Sequence, residues 1–163
     1  MISTNTTGDP ATVSVHKSVV VNVPREHAFD VFTKQICNWW PLKTHTIGSQ
    51  PAQSAVIEPF EGGRWYEKGV GGEECDWGHV LVWEPPARLV LSWEISCDWQ
   101  ADSTISTLVE VQFIEEGENA TRVELDHRQL EHYGDNAEKM RSIFDSEGGW
   151  TGLLEQYRQA AIQ

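Results

Sequence analysis

In three runs between Arg88 and His127 apolar residues recur at every second position, and beyond His132 the period lengthens to that of a helix. This change of period constrains the fold more than any other feature, because alternate side chains of a strand point to opposite faces and alternation marks a one-sided core. In "ARLVLSWEIS" Leu89, Leu91, Trp93 and Ile95 share a face, opposite Arg88, Val90, Ser92 and Glu94. "STISTLVEVQFIEE" sets Ile105, Val109, Val111 and Phe113 against Glu110 and Gln112. "TRVELDH" groups Val123, Leu125 and His127, with "EEGEN" as the intervening hairpin. Upstream, "AVIEPF" and "RWYEKG" flank the turn "EGG", and "GVGGEE" is a further turn. "DWGHVLVWE" is separated from "ARLVLSWEIS" by "PPA", which no strand ladder runs through. The expected unit is an antiparallel meander with one apolar face.

That face needs a cover. "DNAEKMRSIF" aligns Ala137, Met140 and Phe144, and "WTGLLEQYRQAA" aligns Trp150, Leu153, Leu154, Tyr157 and Ala161 at helical spacing. Gly148 and Gly149 lie between them and either kink one long helix or divide a short one from a long one. At the other end "VSVHKSVVVNV" reads as a strand ended by Pro24. "REHAFDVFTKQI" then places Ala28, Phe29, Phe32 and Ile36 on one helical face, finishing near Asn38 because Pro41 biases Trp40 away from helical geometry. Strand, helix, several antiparallel strands and a terminal helix predict an α+β fold, a curved sheet wrapped on its last helix. The expected domain covers residues 13–163, with residues 1–12 as a disordered tail.

Charge and composition narrow the function. The 163 residues suffice for one core, and 12 Lys and Arg against 25 Asp and Glu leave a formal charge of -13, which repels nucleic acid and anionic membrane surfaces. No signal peptide or apolar span is visible, so a soluble cytoplasmic protein is expected. Cys37, Cys75 and Cys97 are too widely spaced for a CxxC site and odd in number, which favours reduced thiols. Neither HExxH, GxSxG nor a GxxxxGK[ST] loop occurs, so no metal, nucleophilic triad, nucleotide or other cofactor is expected. The sequons at Asn5 and Asn119 are sequons in form only.

"VNVPREHAFDVFTKQICNWWP", "EGGRWYE", "WGHVLVWEPPARLVLSW", "TLVEVQF", "TRVELDH" and "GGW" with "LLEQY" follow one another with the spacing of a known superfamily. In these segments the chain resembles the START-like (Bet v 1-like, SRPBCC) superfamily. Within it, the chain looks most like the domain shared with activators of the heat-shock protein 90 ATPase. The resemblance runs from about Val13 to Ala161 and implies the helix-grip fold, with an internal cavity that often holds an apolar or amphipathic small molecule. It also suggests a chaperone or other protein partner. Full activators resemble two-domain proteins, whereas this chain has room for the carboxyl-terminal type of domain alone.

Eight Trp suit the walls of such a cavity, since each buried indole covers about 200 Å² and wants a partner for its N–H. Trp40, Trp77, Trp93 and Trp150 are the candidates for ligand contact; the rest are read as core. In "CNWWP" one indole should anchor the end of the first helix and the other face the ligand. The polar candidates are His45, Glu58, Arg64, His79, Asp126 and His127. His127 shares the apolar side of its strand and is either a satisfied core histidine or ligand-facing. His79 shares a side with Leu81 and Trp83 but lies among residues apolar on both faces, so its direction stays open. Glu58 and Arg64 form either a surface ion pair or a polar pocket floor. His45, in a loop after the double Trp, is positioned to orient a ligand or is exposed without a task. The expected function is binding of a small hydrophobic or amphipathic molecule. The alternatives are a cyclase or dehydratase using a pocket His with Glu58 or Asp126, and a protein-partner module.

Overall fold

The computed structural model describes residues 12–162. Except for its last residue, the expected amino-terminal tail lies outside them. Strand β1 (Val15–Val21) is followed by helix α1 (Arg25–Thr33) and a 3-10 turn (Ile36–Asn38). Then come β2 (Ala52–Ile57), β3 (Arg64–Gly69), β4 (Glu74–Glu84), β5 (Arg88–Trp93), β6 (Thr107–Glu115) and β7 (Thr121–Arg128). A 3-10 segment (Leu130–Asn136) leads into α2 (Ala137–Asp145) and α3 (Trp150–Ala161).

The seven strands form one antiparallel sheet in the order β1-β7-β6-β5-β4-β3-β2, so the chain's first strand closes beside its last. Alternation does what the period demands: Val109, Val111 and Phe113 of β6 and Val123, Leu125 and His127 of β7 are buried on the concave side. The helices fill that side. Phe29 and Phe32 of α1 meet Phe113 edge-on at 5.1 and 5.8 Å, and the Tyr157 hydroxyl of α3 donates to the Ala28 carbonyl at 2.8 Å. Of the two arrangements open at Gly148 and Gly149, the chain adopts the divided one, with α2 and α3 as separate helices.

Strand β4 departs from simple alternation twice. Its register with β3 shifts between Trp65 and Tyr66, and its register with β5 shifts between Val80 and Val82. Each bulge inserts an unpaired residue, bends the strand and turns the following side chains over. Trp83 therefore faces inward, edge-on to Phe29 at 5.1 Å, while His79 and Leu81 are exposed. The shared side expected for His79 and Trp83 is corrected by the second bulge. A Cβ at Gly78 would lie 1.9 Å from the Ser92 carbonyl oxygen, so only glycine fits where β4 presses on β5. Ile105, expected in β6, lies just before it.

Candidate ligand-binding site

Below the double Trp the sheet and the helices leave a cavity of about 360 Å³. The two indoles diverge as the chain leaves α1. Trp39 turns into the core, donating its indole N–H to the Val31 carbonyl at 3.0 Å and lying against Phe32 and Tyr157 at 5.0 and 5.5 Å. Trp40 faces the cavity and stands 5.0 Å from Trp77, 6.3 Å from Trp65 and 6.1 Å from Trp150. Trp40, Trp77, Trp93, Trp99 and Trp150 line the space, five indoles joined by Phe144, Ile95 and Leu153, while Trp65 stands behind them.

Three of these indoles spend their N–H on the protein. Trp40 donates to the His45 carbonyl at 2.8 Å, Trp77 to Glu67 Oε1 at 2.8 Å, and Trp150 to His127 Nδ1 at 3.0 Å. An indole whose N–H is taken offers a ligand its π-face and edge, which favours flat apolar or aromatic groups. The polar points of the wall sit at the rim: Thr44, His45 and Thr46 on one side, Gly148 on the other. His45 bridges them, with Nε2 2.8 Å from the Gly148 carbonyl and Nδ1 2.7 Å from Thr44 Oγ1. Because a carbonyl only accepts, the imidazole carries its proton on Nε2 and accepts from Thr44 through Nδ1.

His127 does not reach the cavity. It lies behind the wall, fully buried, 4.3 Å from Phe144 and 5.2 Å from Trp93 between ring centroids. Since Nδ1 receives the Trp150 N–H, Nε2 holds the proton and donates to Thr107 Oγ1 at 2.8 Å; that hydroxyl in turn donates to the Trp93 carbonyl at 3.2 Å. Both imidazole nitrogens are thus used. Burial among aromatic rings pushes the imidazole down to about 3, so it is neutral.

The remaining sequence candidates lie elsewhere. Glu58 accepts the Arg64 backbone N–H at 2.6 Å in the β2–β3 turn. The Arg64 guanidinium pairs with Glu74 and Asp76 and stands 4.0 Å over the Tyr66 ring. These contacts replace both the expected Glu58–Arg64 ion pair and the pocket floor. His79 pairs with Glu94 on the outer face, and Asp126 pairs with His16 there. No group of three or more metal-ligating side chains converges among the described residues.

Two residues gain importance from the structure. Glu67 is almost fully buried and receives three N–H groups: Trp77 Nε1, Ile47 N at 2.7 Å and Gly48 N at 3.0 Å. One carboxylate thereby ties a wall indole to the rim loop. Its inward direction is legible in "RWYEKG", where Glu67 shares a face with the buried Trp65. Trp99, at the tip of a turn beyond β5, carries no periodic signal that would place it.

A curled seven-stranded antiparallel sheet gripping a terminal helix around an aromatic cavity defines the helix-grip class, the START-like (Bet v 1-like, SRPBCC) superfamily. Residues 22–161 match the family described as Activator of Hsp90 ATPase homolog 1-like protein, and the chain belongs to that family. Among solved structures it is similar to an anthrahydroquino-gamma-pyrone synthase, Txn09, complexed with SUM. The two are 37% identical over 91% of this chain and 96% of that one, with a TM-score of 0.64. It is also similar to CalC of Micromonospora echinospora, a self-sacrificing resistance protein, at 28% identity over 91% and 94% of the two chains and a TM-score of 0.65. Protein MLL2253 of Mesorhizobium loti, 15% identical over 90% and 95% of the chains at a TM-score of 0.64, shares the fold alone. No curated protein matches the chain. No helix among the described residues is long and apolar enough to cross a membrane.

Proposed function

We infer that this protein binds a small, flat, largely apolar aromatic molecule in the Trp-lined cavity. One observation carries the reading: a space of about 360 Å³ walled by five indoles, three with their N–H groups already satisfied, and polar only at its rim. The volume lies in the range of small-molecule sites, roughly 300–1,000 Å³. The named relative that makes a fused aromatic pyrone supports the ligand class. The test is intrinsic tryptophan fluorescence during titration with fused-ring, single-ring and acyl compounds, repeated with Trp40→Phe and Trp150→Phe and with melting curves for each variant. Saturable quenching by fused-ring compounds, several-fold weaker in the folded variants, is the expected result. A flat response across the panel sinks the reading and turns attention to a chaperone or other protein partner.

Catalysis of a ring closure is the second reading, favoured by the same relative and by His45, the titratable side chain of the cavity wall. The base would be His45 through its Nδ1 lone pair, which it shares with the Thr44 hydroxyl, because Glu58 and Asp126 lie outside the cavity wall. Turnover of an open-chain phenolic precursor that His45→Gln abolishes, with binding retained, would establish it over binding alone.

A further inference from the structure

Trp99 is the exception among the cavity's indoles. Trp40, Trp77, Trp93 and Trp150 are between 1% and 5% exposed, whereas Trp99 is 39% exposed at the cavity mouth. Its backbone is also exceptional, with φ at +60°. Beyond β5, Ile95 and Ala101 pair as an antiparallel bridge. Ser96 N–H donates to the Gln100 carbonyl at 2.8 Å, and Trp99 N–H donates to the Ser96 carbonyl at 2.9 Å. This is a three-residue hairpin loop, a β-turn followed by a left-handed residue, and that last position ordinarily belongs to glycine. The bulkiest side chain occupies it instead, where a Cβ crowds the following carbonyl. Ser96 Oγ braces the turn, accepting from Asp98 N and Gln100 N at 3.3 Å. Its ring meets the core at one edge, approaching Phe144 edge-on at 6.3 Å, and leaves the rest of the indole at the mouth. A left-handed backbone under a large, half-exposed side chain is the kind of strain that clusters at functional positions.

We propose that Trp99 is the outer face of the binding site, its indole closing over a planar fused-ring ligand held among Trp40, Trp77, Trp93 and Trp150 and selecting ligands long enough to reach it. The proposal rests on the ligand-binding reading above. It is tested by titrating 1,8-dihydroxyanthraquinone and the single-ring 2-hydroxyacetophenone against the wild type, Trp99→Gly and Trp99→Phe, with melting temperatures for all three. Trp99→Gly should weaken the three-ring probe about fivefold or more, the value of a lost aromatic stack. It should leave the single-ring probe within about twofold, and it should melt close to the wild-type temperature, because the freedom of glycine in the left-handed conformation offsets the lost indole contacts. Trp99→Phe should restore most of the affinity for the three-ring probe. Equal binding of that probe by the wild type and Trp99→Gly overturns the proposal while leaving the cavity as the binding site. A lower melting temperature together with weak binding that Trp99→Phe does not restore also overturns it, as the signature of a structural residue. Failure of the wild type to bind either probe defeats the ligand reading itself and this inference with it.

Discussion

A histidine sealed between Trp150 and Thr107 and held neutral by burial makes stability depend on pH in a direction that can be worked out. Its folded value lies near 3, below the unfolded value of about 6.5, so below pH 6.5 the unfolded chain binds the extra proton and stability falls. At full slope the loss is about 1.4 kcal/mol per pH unit, or roughly 3–6 °C in melting temperature for a chain of this size. Melting curves between pH 5 and 6.5, above the range where carboxylates titrate, should show this limb, and His127→Asn, which keeps an acceptor near Trp150, should flatten it. His16 works the other way on the outer face. Hydrogen bonding to Asp126 raises its value, so its contribution is complete below pH 6.5 and fades as pH rises through the raised value. Glu67 yields a second prediction at this scale. In Glu67→Gln the amide would turn a donor toward the Gly48 N–H, leaving a buried donor unmatched at a cost of about 1–3 kcal/mol. Hydrogen exchange at the Ile47 and Gly48 amides should quicken while the β6–β7 ladder stays protected, and unchanged exchange at those two amides would show that the rim does not depend on the carboxylate.

Strand β4 builds the cavity, and it does so where its pattern is least regular. The first bulge brings Trp77 inward beside Trp65, and Gly78 lets the strand close on Ser92. Gly78→Ala would force a Cβ into the Ser92 carbonyl, so a loss of about 3 kcal/mol is expected in denaturant unfolding, with ligand affinity reduced through the displaced Trp77. Wild-type stability in that variant would mean that β4 and β5 can separate at no cost. The meander, the cover of helices and the divergence of Trp39 and Trp40 are legible in the sequence because each follows from a period or from a proline. The bulges are not, since an extra residue in a strand has no compositional signature, and they decide that His79 faces out and Trp83 in. His127 is legible as an inward residue but not as one standing behind the wall, because parity gives a face and not a depth. Trp99 escapes for a related reason: its role depends on a turn that places a left-handed backbone under a large side chain.

For the molecule as a whole, the formal charge of -13 acts on whatever approaches the cavity, and along the chain the mouth is flanked by two exposed acids, Asp98 next to Trp99 and Glu147 next to Gly148, against one exposed cation, Lys43 next to Thr44. The fold thus offers an aromatic interior behind an anionic rim. An uncharged ligand feels only the interior, whereas an anionic one of the same shape also meets the field, and that field is screened by salt. The screening length falls from about 30 Å at 10 mM salt to about 3 Å at 1 M. Anthraquinone-2-sulfonate should therefore bind more weakly than 1,8-dihydroxyanthraquinone at low salt, and the gap should narrow as salt rises while the neutral compound changes little. Asp98→Asn combined with Glu147→Gln should narrow the same gap at low salt, since it removes the two acids that adjoin the entrance along the chain. Discrimination against the sulfonate that ignores both salt and these substitutions would mean that it comes from the shape of the wall, with the rim and its charge playing no part.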